Sequence, residues 1–376
     1  MKNLKFKPLN YLFLVAAFFL LATTMVAPSL TVLGVSAVVA FVGGTAVSFM
    51  PNLKGSLGAI QVEIWQNHIE EEIFKQNDFL RLSHNADDNV ISSKVVHIPQ
   101  SGGSGNVVKN RTSLPAAIRK RTDTDVVYLL DEYTTDPVVI PHADTKELSY
   151  DKRASVLGED VNKLTESVAE NTLYNWLSGG AYGSYSAHAL PVAHQLLTTG
   201  STVDAALVGV PGATGNRKGA SRADLQRMRS FFIKQNRWFE GQMYGLLDPE
   251  MEAQLFPAND IVTATYMSNV TEQERREGVM YKAHGFKLMT RSSVVGVNTD
   301  NSIKAPGETS NATDDAASLF WYKESVEYAF GGVVAFEQLG APTMYGDVYS
   351  FLARSGGRAR RADYKGVAIL KQAKTA

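Results

Sequence analysis

The 376-residue sequence contains no cysteine. Disulfides, a thiol nucleophile and any thiolate-held zinc or iron–sulfur site are thereby excluded. An excess of charge is also missing: 37 Lys and Arg stand against 38 Asp and Glu, for a net charge of −1. No global basic field of the kind that holds nucleic acid exists. From one stretch charge is absent altogether, because nothing between Lys7 and Lys54 is ionised and no acid precedes Glu63. Within that gap residues 11–27 (YLFLVAAFFLLATTMVA) and 30–50 (LTVLGVSAVVAFVGGTAVSFM) flank Pro28-Ser29. Each approaches the roughly 17–25 residues that cross a bilayer, and Lys2, Lys5 and Lys7 precede the first. The stretch reads as membrane-seeking helices. A cleaved leader, an arm buried in an assembly and a true start at Met50 stand as alternatives.

The motifs of catalysis are missing as well. SGGSGNVVKNR (residues 101–111) has the glycines of a phosphate cradle. A P-loop needs Gly-Lys-Ser/Thr, whereas Asn106 follows Gly105 and Asn110 follows Lys109; a dinucleotide fingerprint needs a third glycine opening a helix. The stretch reads as a flexible hairpin tip. The seven histidines are scattered, and HIEEE is not H-E-x-x-H because Ile69 holds the glutamate position. No G-x-S-x-G nucleophile elbow occurs. Acidic pairs, Asp87-Asp88 and Asp131-Glu132, stand on polar turns or strands where solvated edges are the rule. No catalytic residue, metal site or cofactor is expected.

What is present is a 44 % apolar, 20 % charged composition of a folded protein, long enough for a sizeable core. From Gly58, isoleucines at helical spacing with acids between them predict an amphipathic helix. KVVHIPQ (94–100) predicts a strand halted by Pro99. VVYLLDEYTTDPVVIP predicts a strand pair, so that residues 94–145 form a long polar β-excursion with little core of its own. In residues 151–177, Leu157, Val161, Leu164, Val168, Leu173, Trp176 and Leu177 trace one stripe of a long helix. A Gly/Ser/Ala-rich connection leads to a second helix in SRADLQRMRSFFIKQN, with Ser221 or Ala220 near its cap and Asp224 at the third helical position. Asp248-Pro249 opens a short helix. The remainder predicts several short strands and a basic tail, in which Arg358, Arg360 and Arg361 of GRARR are candidates for contact with phosphates or a neighbouring subunit's acids. Helices and antiparallel strands without βαβ alternation make the fold class α+β.

In order and character the segments resemble the major capsid proteins of tailed bacteriophages, the Hong Kong 97-type fold. The resemblance runs from VEIWQNHIEEEIFK through the β-arm, the helix ending NTLYNWL, the region SRADLQRMRSFFIKQN to LLDPEMEAQLF, and the aromatic strands ending RRADYKGVAIL. The apolar amino-terminal segment at 1–57 departs from the family pattern; after it the resemblance implies an amino-terminal helix and arm at 58–93. Next come an extended E-loop at 94–145, a spine helix of the peripheral domain at 146–182 and an axial domain at 183–297. A return to the peripheral domain, with the basic tail, fills 298–376. It also implies a virion protein, assembled in the host cytoplasm, whose pentamers and hexamers build an icosahedral shell around double-stranded DNA. Its partners would be other copies of itself, scaffold, portal and decoration proteins and non-specifically held DNA; residues 11–50, read from their own apolar character, add a membrane. Within the arm, Lys109, Arg111, Arg119, Lys120, Arg121, Asp131 and Glu132 become candidates for intersubunit contact. An encapsulin-like compartment and a membrane-anchored enzyme or binding protein with a soluble domain after residue 51 are the alternatives.

Overall fold

The long helix organises the molecule. In the computed structural model it is α2, Lys152–Leu177, about 39 Å long at 1.5 Å per residue. The structure describes residues 77–91, 95–103, 107–112, 120–141, 152–180, 187–205 and 212–375, together with residues 69, 114, 115 and 118. Leu157, Val161, Leu164, Val168, Leu173, Trp176 and Leu177 are all buried, so the stripe legible in the sequence is the face turned to the core. Trp176 anchors its carboxyl end. Its indole N–H donates to the Glu327 carbonyl at 2.9 Å, and its ring meets Phe79 edge-on at 5.8 Å and Trp321 at 5.6 Å. Phe79 belongs to a short helix, α1 (Asp78–Arg81), and Trp321 donates in turn to the Leu82 carbonyl. Two indoles thus bury a large apolar area while both N–H groups keep a partner, the condition for placing Trp in a core.

After α1 the chain forms β1 (His84–Asn85), β2 (Val90–Ile91) and β3 (Val95–Gln100). Then follow β4 (Thr124–Leu129), β5 (Asp131–Thr134) and β6 (Val138–Pro141) before α2. Two departures from expectation appear here. Strand β3 runs through Pro99, paired with Asp125 of β4. Its other neighbour, β2, pairs only with Val95 and Val96; Pro99 therefore lies where one side of β3 is an open edge, and there proline is tolerated. The predicted strand pair is three strands, of which β4 completes a hairpin with β3 while β5 and β6 pair elsewhere.

Beyond α2 lie β7 (Ser178–Gly179), β8 (His188–Ala189), β9 (Gln195–Leu197), β10 (Thr202–Asp204) and β11 (Asn216–Lys218). The stretch read as a connection therefore contributes strands. Helix α3 (Arg222–Lys234) follows, and Asp224 accepts from the Ser221 backbone N–H at 3.0 Å as expected of an N-terminal box. Next come β12 (Met243–Leu247) and α4 (Pro249–Leu255), whose cap Asp248 accepts from the Glu250 N–H. Two more helices, α5 (Ile261–Ser268) and α6 (Glu272–Arg276), precede β13 (Tyr281–Ala283), β14 (Phe286–Thr290), β15 (Val295–Val297) and β16 (Asp315–Tyr322).

The expected several short strands are instead one long hairpin, β17 (Val326–Ala341) with β18 (Gly346–Ala359). Gly331 and Gly332 look like breakers, yet they sit at a register shift between Phe330 and Val333, where Gly332 takes φ +89°. A bulge absorbs the glycine without ending the ladder. The basic tail is corrected too. Its core is β19 (Val367–Lys371), every residue of which is buried, followed by β20 (Ala373–Lys374).

One sheet runs β13-β14-β12-β16-β19-β9, with β15 also on β16. Both of its faces are covered, which is why its strands read as continuous apolar runs. On one face Tyr244, Leu246, Leu319, Trp321, Val367 and Ile369 meet the α2 core. On the other Met243, Leu247, Phe320 and Leu370 meet Leu225, Met228 and Phe232 of α3. At the start of β16 Asp315, 1 % exposed, faces Arg217 at 2.7 Å and Lys371 at 3.3 Å. Two buried cations are thereby answered in an interior where an unpaired charge would cost several kcal/mol. A second sheet, β1-β17-β18-β5 with β6 on β18, packs on α2.

Candidate assembly surface

The β3–β4 hairpin is rooted in the body. Val96 and Ile98 from β3 and Val126 and Tyr128 from β4 close a small core with Ala86 and Ala329. The arm therefore has a core at its base, more than its polar sequence suggests. Polar contacts bind this base to β18 and the turn after it. Gln100 donates to the Arg360 carbonyl at 2.6 Å, and Arg358 donates to the Val127 carbonyl at 2.6 Å. Arg360 lies between Glu324 (3.0 Å) and the buried Glu327 (3.1 Å). Burial pushes the Glu327 carboxyl up, against the pull of Arg360, and burial with the nearby Glu327 raises the Tyr128 phenol. Gly356 and Gly357 make the fit: a Cβ on Gly356 would stand 2.7 Å from the Leu129 carbonyl oxygen, and one on Gly357 2.7 Å from that of Glu327.

Past Gln100 the support ends within a few residues. The carboxylate of Asp123 accepts from the Gly102 N–H at 2.8 Å and from Arg121 at 2.6 Å, pinching the two strands together. A Cβ on Gly102 would overlap the Thr122 carbonyl, so this glycine of SGGSG serves a close backbone approach. Beyond the pinch, Val107 is 97 % exposed, Leu114 80 % and Ile118 100 %. Two further surfaces share this character. At the far end of the β17–β18 hairpin Phe336, Leu339, Met344 and Tyr345 are exposed, and on α5 Ile261 and Val262 are. Scattered exposed apolar residues are ordinary; clusters at the tips of projecting elements mark contact sites.

The candidate residues separate into two groups. Lys109, Arg111 and Lys120 are exposed and form no ion pair among the described residues. Arg119 lies outside the described residues. The others are engaged within the chain: Arg121 with Asp123, Glu132 with Arg354 at 2.8 Å, and Asp131 accepting from Asn175 of α2 at 2.9 Å. The GRARR cations are likewise engaged, Arg358 and Arg360 at the arm's base and Arg361 with Asp363, whose carboxyl it holds well below the usual range. The exposed apolar residues, which sequence reasoning missed, show only as aperiodic Val, Leu and Ile inside a polar segment. Among the described residues no group of His, Asp and Glu is arranged to hold a metal, and no helix is long and apolar enough to cross a membrane; residues 11–50 lie outside them.

No family model and no curated protein sequence matches the chain. Solved structures do. The capsid of Ralstonia phage GP4 aligns over 78 % of this chain and 88 % of its own, with a TM-score of 0.53 at 14 % identity. The chain has the Hong Kong 97-type capsid fold. The capsid structure of cyanophage P-SCSP1u aligns over 78 % and 87 % at TM-score 0.52 and 16 % identity. The capsid asymmetric unit of cyanophage Pam1 aligns over 77 % and 87 % at TM-score 0.53 and 11 % identity. At such identities the shared feature is the backbone course of the capsid fold, carried here by patterns of burial rather than by particular residues.

Proposed function

We propose that this chain is a major capsid protein, a structural subunit that self-assembles through pentamers and hexamers into an icosahedral shell around double-stranded DNA. The observation that carries the reading is the connection at 101–123, which projects from a small rooted core and leaves Val107, Leu114 and Ile118 uncovered by its own chain. Exposed aliphatic groups gain about 25 cal/mol per Å² on burial, and a second copy offers a surface to bury them on. In this reading the hairpin and its connection are the E-loop, α2 is the spine helix, and Lys109, Arg111 and Lys120 meet acids of the neighbouring subunit. Arg121 shapes the arm, and Asp131 and Glu132 fasten β5 to α2 and β18, rather than contact a partner, since each is engaged at home. The uncharged exposed face of α5 supplies a further subunit contact.

Electron microscopy of the purified full chain under assembly conditions tests the reading. Closed shells or capsomer rings are expected; a monomer at high concentration, with neither, would sink it. Mass spectrometry of the chain within such particles reads whether residues 1–50 are retained.

A further inference from the structure

Residues 218–237 hold six cationic side chains and one carboxylate, Asp224, in a chain whose net charge is −1. Asp224 is buried and engaged by Thr199 and Ser221. Most of this positive charge reaches the surface on α3, whereas Arg358 and Arg360 are partly buried and Arg361 is paired with Asp363. Arg222 and Arg229 are seven residues apart on one edge of the exposed face of the helix, and Arg227 and Lys234 are seven apart on the other. Each pair is separated by about 10.5 Å along the axis. Lys234 forms no ion pair among the described residues. Arg229 lies over the Trp238 ring at 5.2 Å, a contact that orients its guanidinium without neutralising it. The Nη1 of Arg227 is held by the Leu197 carbonyl and by Asp224, each at 3.0 Å, which leaves its remaining donors directed elsewhere. Arg222 is answered by a half-buried acid, Asp260, at 2.6 Å.

Between the two edges lie Ala223, Gln226 and Ser230. Beside the Arg227–Lys234 edge is a groove of about 470 Å³ completed by Leu196 and Phe231. We propose that this face of α3 binds the phosphate backbone of double-stranded DNA. Arginine forks match phosphate oxygens, Gln226 and Ser230 add neutral donors, and a duplex carries a charge every 1.7 Å or so, so two rows of cations find phosphates without a sequence requirement. An acidic peptide would need apolar anchors, and between the rows only Ile233, at the carboxyl end, is an exposed aliphatic. The inference rests on the shell reading only for where the DNA would be met.

Binding of a short mixed-sequence duplex to the unassembled full chain, measured by fluorescence anisotropy between about 50 and 200 mM salt, is the test. Each phosphate contact contributes about 0.9 to the slope of log affinity against log salt. R229Q/K234Q, which removes no hydrogen bond among the described residues, is expected to lower that slope by about two, and added R227Q by about one more. R361Q, at the other basic stretch, is expected to leave it unchanged. An unchanged slope in R229Q/K234Q, an equal loss in R361Q, or displacement of the duplex by a polyglutamate peptide at equal charge would each overturn the proposal, the last in favour of an acidic protein partner. Microscopy of the same proteins separates the two readings. Shells with no slope change sink only the DNA surface, whereas absence of shells from the unsubstituted chain sinks the shell itself.

Discussion

Helix α2 and the connection at 101–123 are of similar length and both contain Val and Leu, yet their apolar residues meet opposite fates. In α2 they recur every three or four residues, so one face collects them and the body's own strands cover it. In the connection Val107, Val108, Leu114 and Ile118 follow no period, no single face can gather them, and all four are exposed. Periodicity decides whether a chain can bury its own apolar surface. Where it fails, the residues stay exposed, and on the proposed reading a second copy covers them. Perturbing α2 should therefore cost stability and perturbing the connection should cost assembly.

On stability the largest effect belongs to Trp176→Ala. Removing a fully buried indole that joins α1, α2, β16 and β17 costs about 3–5 kcal/mol, read as a lowered midpoint in urea. Gly357→Ala is next. Its Cβ would press on the Glu327 carbonyl and the Trp176 indole nitrogen, and the strain costs about 1–3 kcal/mol in the same assay. A pH effect follows from His188, just beyond α2. Burial, with Arg358 nearby, lowers its imidazole to about 4 from an ordinary 6.5. Above pH 6.5 it is neutral folded and unfolded and contributes nothing. As pH falls from about 6.5 to 4, the unfolded chain takes up a proton that the folded one refuses, so stability declines over that window and levels off below it. His188→Gln should flatten this limb of a midpoint-against-pH plot; a parallel decline in the variant would place the effect elsewhere. The smallest change in stability is expected of L114D/I118D, within about 0.5 kcal/mol, because the two side chains touch little. The same variant should impair shell formation severely, which reverses the order and sharpens the contrast with Trp176.

The legible parts of the fold were the locally encoded ones. The α2 stripe, the Ser221–Asp224 box and Asp248-Pro249 opening α4 depend on residues within one or two turns of each other. Several short strands are expected of the β17–β18 segment, whereas the bulge that lets one long hairpin run through Gly331 and Gly332 depends on the partner strand. At the candidate surface the same limit holds. Asp131, Glu132 and Arg358 looked free because Asn175, Arg354 and the Val127 carbonyl, which satisfy them, are distant in sequence. Lys109, Arg111 and Lys120 looked free and are exposed.

The most direct measurement is electron microscopy of a chain in which residues 101–123 are replaced by a short turn joining β3 to β4, beside the unaltered chain, with urea midpoints for both. The cut spares β5 and β6, which belong to the body. The account predicts shells from the unaltered chain, and from the shortened one the same unfolding free energy within about 1 kcal/mol but no shells. Shells from the shortened chain would contradict it.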